Sequence, residues 1–515
     1  MRKELDIALV GYGPVGQVLA ILLGQRGWKV GVFEKQASPY PLPRAVHFDH
    51  EVARILQGAG LGDELPRLTE AADVYEWKNA RGDTLLLIGS KEMGVSGWPE
   101  ANMFAQPELE RALDARARAL PSVEITRGHE VVGIEASDGE VKLAVVSASG
   151  ERHDVRTRYV VGCDGANSFV RPRIGVRFTD LGFFFDWLIV DLTPHEKRVW
   201  EPVNGQLCDP ARPTTFVSGG PGRRRWEFMR LPGETIEELN NEATAWRLLE
   251  PWNLTPANAS LERHAVYTFQ ARWADEWRKG PILIAGDAAH QMPPFAGQGM
   301  CSGIRDAANL TWKLDLVLAG KAADAVLDTY ASERIPQVRQ VVDFSIALGK
   351  VICVADPEEA RARDTAMIAA AREKGLTPPM PTPAIGPGVL LEGDPLAGHL
   401  FVQGEVHTGK KAGRFDDVVG RGFGLVSTVG DPMTALGPEQ AAYFASIGGF
   451  AAHVAPTGPI RDLKGSYQRW FTEHGTAVAL VRPDFHVFGT AQSIEDAGKL
   501  VSALRSALGT LDSAR

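Results

Sequence analysis

The sequence of 515 residues is 44% hydrophobic and 23% charged, which is typical of a globular protein with about two or three domains. Its net charge of −9 argues against nucleic acid as a partner, because nucleic-acid binding usually needs a basic surface. The 4 cysteines form no CxxC pair, so we expect neither a disulfide framework nor a metal site. We find no signal peptide and no apolar run of about 18 residues, and we therefore expect a cytoplasmic protein without a membrane anchor.

The chain begins with a predicted β-α-β unit. "LDIALVG" and "KVGVFEK" have the pattern of short apolar strands, and "PVGQVLAILLGQRG" between them has helical spacing. The turn before the helix carries a GxGxxG motif, in which Gly11 permits a tight turn, Gly13 admits a pyrophosphate and Gly16 allows close packing. Glu34 ends the second strand, where a carboxylate accepts ribose hydroxyls. We predict dinucleotide binding here, and the alternative is an ordinary β-α-β corner.

A second motif and a β-rich block follow. In "YVVGCDGANSFVR" an apolar strand ends at Asp164, which by itself is equally consistent with a helix cap. From about Gly175 to Gln270, alternating segments separated by glycine and proline predict strands. The basic cluster from Arg223 to Arg225 within this block has the pattern of a solvated hairpin edge.

The third motif is "GPILIAGDAAHQMPPFAGQG". It predicts a strand, then Asp287 at the carboxyl end of the strand, a Pro-Pro turn, and Gly297 and Gly299 at the start of a long helix. A carboxylate at a strand end can bind ribityl or ribose hydroxyls, and a helix N-terminus presents free N–H groups. We therefore predict that this segment holds a polar, partly anionic cofactor, and we expect His290 to have a packing or hydrogen-bonding role.

After a proline-rich segment at 375–389, which predicts a linker, residues 390–515 are long enough for a small α/β domain. Strand-like segments in this tail include "GFGLVST" and "AVALVRPDFHVFG". The tail contains no cysteine, so redox activity is excluded there, and we expect it to support the fold or to form dimer contacts.

The three motifs, in this order, resemble those of the single-component flavoprotein hydroxylases, the group that contains para-hydroxybenzoate hydroxylase and phenol hydroxylase. "RRRWEFMRLPGET" and "GDAAHQMPPFAGQGM" are most similar to 3-(3-hydroxyphenyl)propionate hydroxylases. The resemblance implies an α/β fold with a Rossmann-like FAD-binding domain of the para-hydroxybenzoate hydroxylase type, a β-rich substrate domain, a thioredoxin-like C-terminal domain, and a homodimer. The implied bounds are 1–75, 102–175 and 271–374 for the FAD-binding domain, 76–101 and 176–270 for the substrate domain, and 390–515 for the C-terminal domain.

The resemblance also implies the reaction. NADH or NADPH binds transiently and reduces FAD, O2 reacts with the reduced flavin, and a flavin C4a-hydroperoxide hydroxylates a phenolic ring such as that of 3-(3-hydroxyphenyl)propionate. One alternative is a tailoring monooxygenase that acts on a larger, polyketide-type aromatic compound. Another is a non-enzymatic FAD-binding protein. A flavin halogenase is disfavoured, because "EPWNLTP" does not supply the tryptophan-rich segment of that class.

Carried over by position, the resemblance assigns the pyrophosphate to the GxGxxG glycines, the ribose to Glu34, the ribityl chain to Asp287 and the isoalloxazine to the glycines before the long helix. Cys301 departs from the family pattern, which usually has asparagine there. The full set of predicted cofactor-binding residues is Gly11, Gly13, Gly16, Glu34, Lys35, Arg44, Gln106, Arg111, Asp164, Asp287, Pro294, Gly297, Gln298 and Gly299.

On the substrate side, Asp49 and His47 are candidates for proton transfer, because removing a phenolic proton makes the ring more nucleophilic. Both are equally consistent with a helix cap or a polar residue beside the cofactor. A substrate carboxylate needs a cation from the β-rich block, for which the candidates are Arg223, Arg224, Arg225, Arg230 and Arg263. Aromatic residues that line either the ring pocket or the core are Phe183, Phe184, Phe185, Trp187 and Phe228.

Overall fold

The structure, a computed structural model, describes residues 4–72, 74–89, 93–137, 139–376 and 383–509. The helices in these ranges are α1 (Pro14–Gln25), α2 (His50–Leu56), α3 (Leu65–Leu68), α4 (Gln106–Arg118), α5 (Val170–Arg173), α6 (Ile236–Leu239), α7 (Glu242–Leu249), α8 (Gly299–Leu318), α9 (Asp328–Ile352), α10 (Pro357–Lys374), α11 (Phe415–Val418), α12 (Pro438–Ser446), α13 (Ser466–His474) and α14 (Ala497–Ala507). In the described part of the chain, no helix is both long and apolar enough to cross a membrane.

The first large sheet has a parallel core. Its strands are β1 (Glu4–Val10), β2 (Val30–Glu34), β8 (Val123–Arg127), β9 (His129–Ser137), β10 (Glu140–Ser147), β11 (Arg152–Gly162), β17 (Arg278–Lys279) and β18 (Ile282–Ile284). The strands β18, β11, β1, β2 and β8 lie side by side and run parallel. The inner strands are almost wholly apolar, as expected for parallel strands covered on both faces. The predicted β-α-β unit at the N-terminus is confirmed.

Helices α1 and α8 pack together over this sheet. Their contact requires a small residue, since a Cβ built on Gly303 of α8 lies 2.6 Å from Val15 Cγ2 of α1. Helix α1 begins with Pro14 directly after Gly13, a position where proline is favoured because the first N–H has no helical partner. The close helix pair fixes the N-termini of α1 and α8 relative to the edge of the sheet.

The second large sheet is mixed and mainly antiparallel. Its strands are β5 (Val74–Asn79), β6 (Thr84–Gly89), β12 (Phe178–Pro194), β13 (Asn204–Cys208), β14 (Thr214–Ser218), β15 (Arg224–Met229), β16 (Ala259–Ala274) and β19 (His290–Gln291), in the order β19-β16-β12-β15-β14-β13-β5-β6. One face packs on α6 and α7 through residues such as Leu188 and Phe228. The opposite face, which we call the inner face, carries Trp187 and Phe269, whose rings contact Phe295 of the third motif.

A small sheet of β3 (His47–Asp49), β4 (Thr69–Ala71) and β7 (Ala101–Phe104) lies beside the first domain. The C-terminal region contains β20 (Glu405–His407), β21 (Ala412–Arg414) and β24 (Arg461–Asp462) in one sheet, and β22 (Gly424–Ser427), β23 (Phe450–His453), β25 (Val478–Val481) and β26 (Val487–Ala491) in another. Of the predicted linker, 377–382 lie outside the described residues. The segment that follows packs on α9, where the Gly386 N–H donates to the Glu333 carbonyl at 2.8 Å.

Candidate functional site

The three sequence motifs meet at one edge of the first sheet. Strands β1, β2, β11 and β18 are parallel, and their last residues are in register: Val10 is opposite both Phe33 and Gly162, and Gly162 is opposite Ile284. The loops after these strands therefore leave the sheet side by side. The carboxyl edge of a parallel sheet is where open α/β folds bind their ligands.

The GxGxxG glycines differ in what surrounds them. Gly11 has a φ of +96°, and a Cβ there would lie 2.5 Å from the Cys163 carbonyl oxygen. A Cβ on Gly16 would lie 2.4 Å from the Gly11 carbonyl oxygen, whereas a Cβ on Gly13 meets no described atom within 4 Å. Packing thus requires Gly11 and Gly16 to be glycine, while Gly13 exposes bare backbone to open space at the N-terminus of α1. This space fits a pyrophosphate.

Two acidic residues, Glu34 at the end of β2 and Asp164 just after β11, hold the adjoining loops. The Glu34 carboxylate accepts hydrogen bonds from the Tyr12 N–H at 2.9 Å and the Gln36 N–H at 2.8 Å. Asp164 Oδ2 accepts from the N–H groups of Phe169 and Val170, which agrees with the helix-cap alternative. Its other oxygen, Oδ1, is buried and has no hydrogen-bond partner among the described residues. Asp164 Oδ1 can therefore accept a hydrogen bond from a ligand or a water molecule.

Asp287 follows β18 and lies in a cleft. Its side chain is exposed to solvent, yet the protein packed around it raises the pKa of its carboxyl, and His290 and Arg44 oppose this shift. A solvent-accessible carboxyl surrounded by protein is the arrangement expected of a residue that lines a ligand cleft. Arg171 ties this loop to the second motif, because its guanidinium donates to the Ala288 carbonyl at 3.1 Å.

The other residues predicted to contact the cofactor are Gln106, Arg44, Arg111 and Lys35, and in the structure they have partners within the protein or are exposed. Gln106 Oε1 accepts from the Ala45 N–H at 2.7 Å, so Gln106 positions the segment that carries Arg44. The exposed Arg44 guanidinium stacks on the Tyr40 ring at 4.3 Å. Arg111 is exposed and lies 3.8 Å from Glu108, and Lys35 is also exposed. Direct contact of these residues with a cofactor stays a prediction.

The third motif forms a tight turn in front of α8. Pro294–Ala296 is a single 3-10 turn, Gly297 has a φ of +63°, and Gln298 caps the helix that begins at Gly299. A Cβ on Gly297 would lie 2.9 Å from His47 Nδ1, so glycine also allows the histidine to approach. The turn brings the positive N-terminal end of a 20-residue helix to the same cleft as Asp287.

The structure places both residues predicted for proton transfer, Asp49 and His47, beside this turn. Asp49 caps α2 by accepting from the N–H groups of Glu51 and Val52, and its carboxylate also pairs with Arg305. Burial acts to raise the pKa of Asp49, but Arg305, His50 and the hydrogen bond from the Val52 N–H together outweigh it, and the pKa is lowered. Burial lowers the pKa of His47. The geometry favours the helix-cap alternative for Asp49, and proton transfer by this pair stays a prediction.

Arg305 is a residue that the sequence analysis missed. Its guanidinium pairs with the carboxylates of Asp49 and Glu51, the latter at 2.5 Å, and donates to Gln298 Oε1 at 2.9 Å. Arg305 therefore connects α8 to α2 beside the Gly297 turn. The only signal in the sequence is the position of an arginine two turns into the helix. His290, by contrast, has the predicted hydrogen-bonding role, since its Nε2 lies 2.7 Å from Asp306 Oδ2 in the buried interior.

The inner face of the second sheet covers the cleft. Arg225 donates to the carbonyl oxygens of Arg44 at 2.5 Å and Pro43 at 3.0 Å. Nearer the turn, the rings of Trp187 and Phe269 lie 5.6 and 5.8 Å from Phe295. The two large sheets thus meet in an aromatic contact region between the Gly297 turn and the inner face. Phe228 lies on the opposite face of the sheet, and Phe184 is 59% exposed, so neither belongs to this region.

The expectation of a solvated basic edge is wrong for Arg224 and Arg225, which are both buried. The reason is that most of the candidate arginines have a carboxylate partner that lies far away in the sequence. Arg225 and Arg263 share Asp191 at 2.7 Å, and Arg224 donates to a backbone carbonyl. The other pairs are Arg223 with Glu108 at 2.7 Å and Arg230 with Asp186 at 2.9 Å. Each of these five arginines thus already has a partner within the protein, and only the Nε atoms of Arg224 and Arg263 are buried without a hydrogen-bond partner among the described residues.

The fold and the cleft together define a flavoprotein of the hydroxylase type. A family model described as "FAD binding domain" matches residues 4–345, and one described as "HcaD C-terminal domain" matches 398–507. The chain therefore belongs to the FAD-dependent aromatic hydroxylases, which are monooxygenases, and FAD is its cofactor. The glycine cradle at Gly13, the unfilled acceptor of Asp164 and the cleft carboxyl of Asp287 fit this cofactor.

Among curated proteins, the chain is 39% identical to a "Probable NADH-specific resorcinol 4-hydroxylase" of Rhodococcus jostii (strain RHA1), over 99% of this chain and 97% of the relative. It is 32% identical to a "3-(3-hydroxy-phenyl)propionate/3-hydroxycinnamic acid hydroxylase" of Escherichia coli (strain K12), over 99% and 95%. The fold is shared with the flavin-dependent monooxygenase PieE, with a TM-score of 0.81 and 22% identity over 98% of this chain and 99% of that one.

Proposed function

We propose that the protein hydroxylates a phenolic ring with NADH and O2 as co-substrates. The overall reaction converts the phenol, NADH, one proton and O2 into the dihydroxylated ring, NAD⁺ and water. The observation that carries the proposal is that the three sequence motifs meet at one edge of the first sheet, where the aromatic rings of the inner face pack on Phe295. The relative named as NADH-specific supports NADH as the reductant.

Bound FAD supplies the electron transfer and the activation of oxygen, and the chain supplies binding, orientation and exclusion of water. In this proposal the backbone at Gly13 and the N-terminus of α1 hold the pyrophosphate, Glu34 holds the ribose, and Asp287 holds the ribityl chain. The N-terminus of α8 would stabilise negative charge on the isoalloxazine ring of bound FAD by about 1 kcal/mol. The aromatic cover from Trp187, Phe269 and Phe295 keeps water from the reacting atoms.

We infer that the substrate is an uncharged phenol of the resorcinol type and not a ring with a carboxylate side chain. The five candidate arginines already donate to protein carboxylates or to backbone oxygens. Redirecting one of these contacts to a substrate would leave a protein carboxylate or carbonyl without its partner, which costs about 1–3 kcal/mol. The unpartnered Nε of Arg224 lies on the face of the sheet opposite to the inner face, and Arg263 already pairs with Asp191. A resorcinol hydroxyl needs no such cation.

The test is to follow NADH oxidation, oxygen uptake and product mass with resorcinol, phenol, 3-(3-hydroxyphenyl)propionate, 3-hydroxycinnamate and a bulky naphthol. We expect kcat/KM for resorcinol to exceed that for the propionate by about 10-fold or more. A preference for the propionate would contradict the substrate inference. Turnover of the naphthol alone would support the alternative of a tailoring monooxygenase, and a protein that takes up no FAD would refute the whole proposal.

We also propose a thioredoxin-like arrangement for the C-terminal region. Its sheet has the order β23-β22-β25-β26, with β22 and β23 parallel and the other neighbours antiparallel, and α12 and α14 accompany it. Because no cysteine follows Cys353, the region serves the fold or subunit contacts and not redox chemistry. We propose a cytoplasmic homodimer, for which light scattering of the purified protein would give the mass.

A further inference from the structure

Four polar side chains on the inner face form a cluster that has no role in the proposed reaction. They come from four adjacent strands, β5, β13, β14 and β15. Glu227 is opposite Ile189 of β12 on one side and Thr215 of β14 on the other, and Thr215 is opposite Gln206. Ile189 is two residues from Trp187, so the cluster lies on the same face as the aromatic cover. We call Tyr75, Gln206, Thr215 and Glu227 the Glu227 cluster.

The hydrogen bonds within the cluster fix which atoms are donors. The Gln206 amide nitrogen donates to the carbonyl oxygens of Leu207 at 3.2 Å and Thr214 at 3.1 Å. This orientation makes Gln206 Oε1 the acceptor for the Thr215 hydroxyl at 2.5 Å and the Tyr75 hydroxyl at 3.4 Å. The protons of both hydroxyls are therefore committed to Gln206, and what the cluster still offers are lone pairs on oxygen.

Glu227 is a buried carboxyl without hydrogen bonds. Its residue is 8% exposed, and no described residue donates to its carboxylate. The nearest cation is Arg225, whose Nη1 lies 3.8 Å away and already donates to the Arg44 carbonyl. Burial raises the pKa of Glu227, and Arg225 opposes this. A largely buried carboxyl that accepts no hydrogen bond from the protein is costly, and such groups concentrate at functional sites.

We propose that Glu227 binds the second ring hydroxyl of a resorcinol-type substrate, at the position that carries the carboxylate side chain in 3-(3-hydroxyphenyl)propionate, by accepting its hydrogen bond, and that the Glu227 cluster selects a hydroxyl over a carboxylate at this position. This inference rests on the proposed function and names a specificity-determining residue for it. A hydroxyl donates its proton to Glu227 and so satisfies the buried oxygen. A substrate carboxylate at the same place meets a second carboxyl and the oxygen lone pairs of the cluster, which repel it, while the nearby Arg225 and Arg263 already pair with Asp191.

The decisive variant is Glu227→Gln, which keeps the size of the side chain but removes the carboxylate. We expect kcat/KM for resorcinol to fall by about 10- to 100-fold, whereas kcat/KM for 3-(3-hydroxyphenyl)propionate stays within about twofold or rises. Calorimetric titration of the oxidised holoenzyme with resorcinol, without NADH, should show a parallel loss of affinity. The matched control is Glu76→Gln, since Glu76 lies on β5 next to Tyr75 but bonds to Thr84 and pairs with Lys78 on the other face.

A pH profile separates a binding role from a structural one. The charged and titratable groups that face Glu227 are Arg225 on its own strand, Asp191 on β12, Arg263 on β16 and Tyr75 on β5. Because the ionised carboxylate is the better acceptor, wild-type kcat/KM for resorcinol should fall as the pH drops through the raised pKa of Glu227. That decrease should be absent in Glu227→Gln and retained in Glu227→Asp.

The outcomes distinguish this inference from the proposed function. If no phenolic compound stimulates NADH oxidation by the wild-type protein, the proposed function fails. If the wild type is active but Glu227→Gln loses the same factor with both substrates, or none with resorcinol, Glu227 does not select the hydroxyl and the inference is overturned. Should Glu227→Gln not fold, Glu227→Asp with resorcinol and the propionate provides the same comparison, and equal losses with both would again overturn it.

Discussion

Two groups of acidic side chains in this molecule have opposite surroundings. At the junction between α8, α9 and the C-terminal region, Arg482 donates to both Glu333 and Asp484, and Lys313 lies 2.8 Å from Glu333. Asn309 donates to the same two carboxylates at 2.7 and 3.0 Å. At the cleft proposed for the flavin, Asp164 has an unpaired buried oxygen, Asp287 is open to solvent, and Glu227 accepts no hydrogen bond from a described residue.

The difference separates charges that hold the fold from charges that hold a ligand. A buried ion pair survives when every oxygen and proton has a partner, because only then is the loss of hydration offset. At the junction each carboxylate oxygen of Glu333 and Asp484 has a donor, whereas at the cleft Asp164 keeps an oxygen without one. Since the desolvation cost at the cleft is not offset within the protein, we expect the ligands to provide the missing partners.

The largest effect is expected from breaking the junction with Arg482→Met. This change leaves Glu333 and Asp484 buried with too little positive charge, so the free energy of unfolding should fall by about 3–5 kcal/mol. Denaturant titration of the holoenzyme measures the change. Lys464→Met, which removes the exposed pair with Glu405, is the control and should have no measurable effect. A loss below about 1 kcal/mol for Arg482→Met would show that the junction does not stabilise the fold.

Acid should weaken the same junction. Arg482 and Lys313 overcome the effect of burial and lower the pKa of Glu333 from 4.5 to about 2. A depressed folded-state pKa adds stability above pH 4.5, and this stability is lost as the pH falls from 4.5 to about 2, because the unfolded chain then binds more protons. The shift corresponds to about 3 kcal/mol. Unfolding free energies measured across this range should show a smaller slope in Glu333→Gln than in the wild type.

At the cleft, Gly13→Val should weaken FAD binding without weakening the fold. The new side chain has open space and an ordinary backbone conformation, since φ at Gly13 is −76°. It occupies the place assigned to the pyrophosphate, and we expect the Kd for FAD to rise by about 100-fold, or about 2.7 kcal/mol. Flavin fluorescence titration of the apoprotein measures the Kd.

Gly16→Val is the matched comparison, because its side chain meets the Gly11 carbonyl oxygen and should lower the stability of the apoprotein itself. If Gly13→Val binds FAD as the wild type does, the open space at Gly13 is not the pyrophosphate site. If both variants unfold the apoprotein equally, the distinction between packing glycines and a binding glycine is wrong.

The sheet edge at which the three sequence motifs meet could be predicted from the sequence, because each motif is a short local pattern. Each motif combines an apolar strand with a glycine or an acid at its end, and parallel strands bring such ends together. The start of α8 at Gly299 and the hydrogen-bonding role of His290 followed from the same local pattern. Asp164 shows the limit, because its sequence context fits a helix cap and a ligand contact, and the structure contains both a cap and a free oxygen.

The inner face could not be predicted, because its partners are distant in the sequence. Arg225 is buried by Asp191, 34 residues earlier, and a run of three arginines alone indicates a solvated edge. The Glu227 cluster draws its members from four strands, and the pairing order of a sheet is not encoded in any one of them. The only local signal is the alternation in "RRWEFM", which places Arg225 and Glu227 on one face.

The smallest effect is expected from Tyr75→Phe, which sharpens the contrast within the cleft. Tyr75 bonds only weakly to Gln206, at 3.4 Å, so its loss should leave Glu227 in place and remove one acceptor atom. We expect kcat/KM for resorcinol to fall by about threefold, equivalent to about 0.6 kcal/mol, with no change in FAD affinity. A loss as large as that of Glu227→Gln would mean that the phenolic oxygen of Tyr75, and not the carboxyl, is the main acceptor, because only one of the two can account for most of the selectivity.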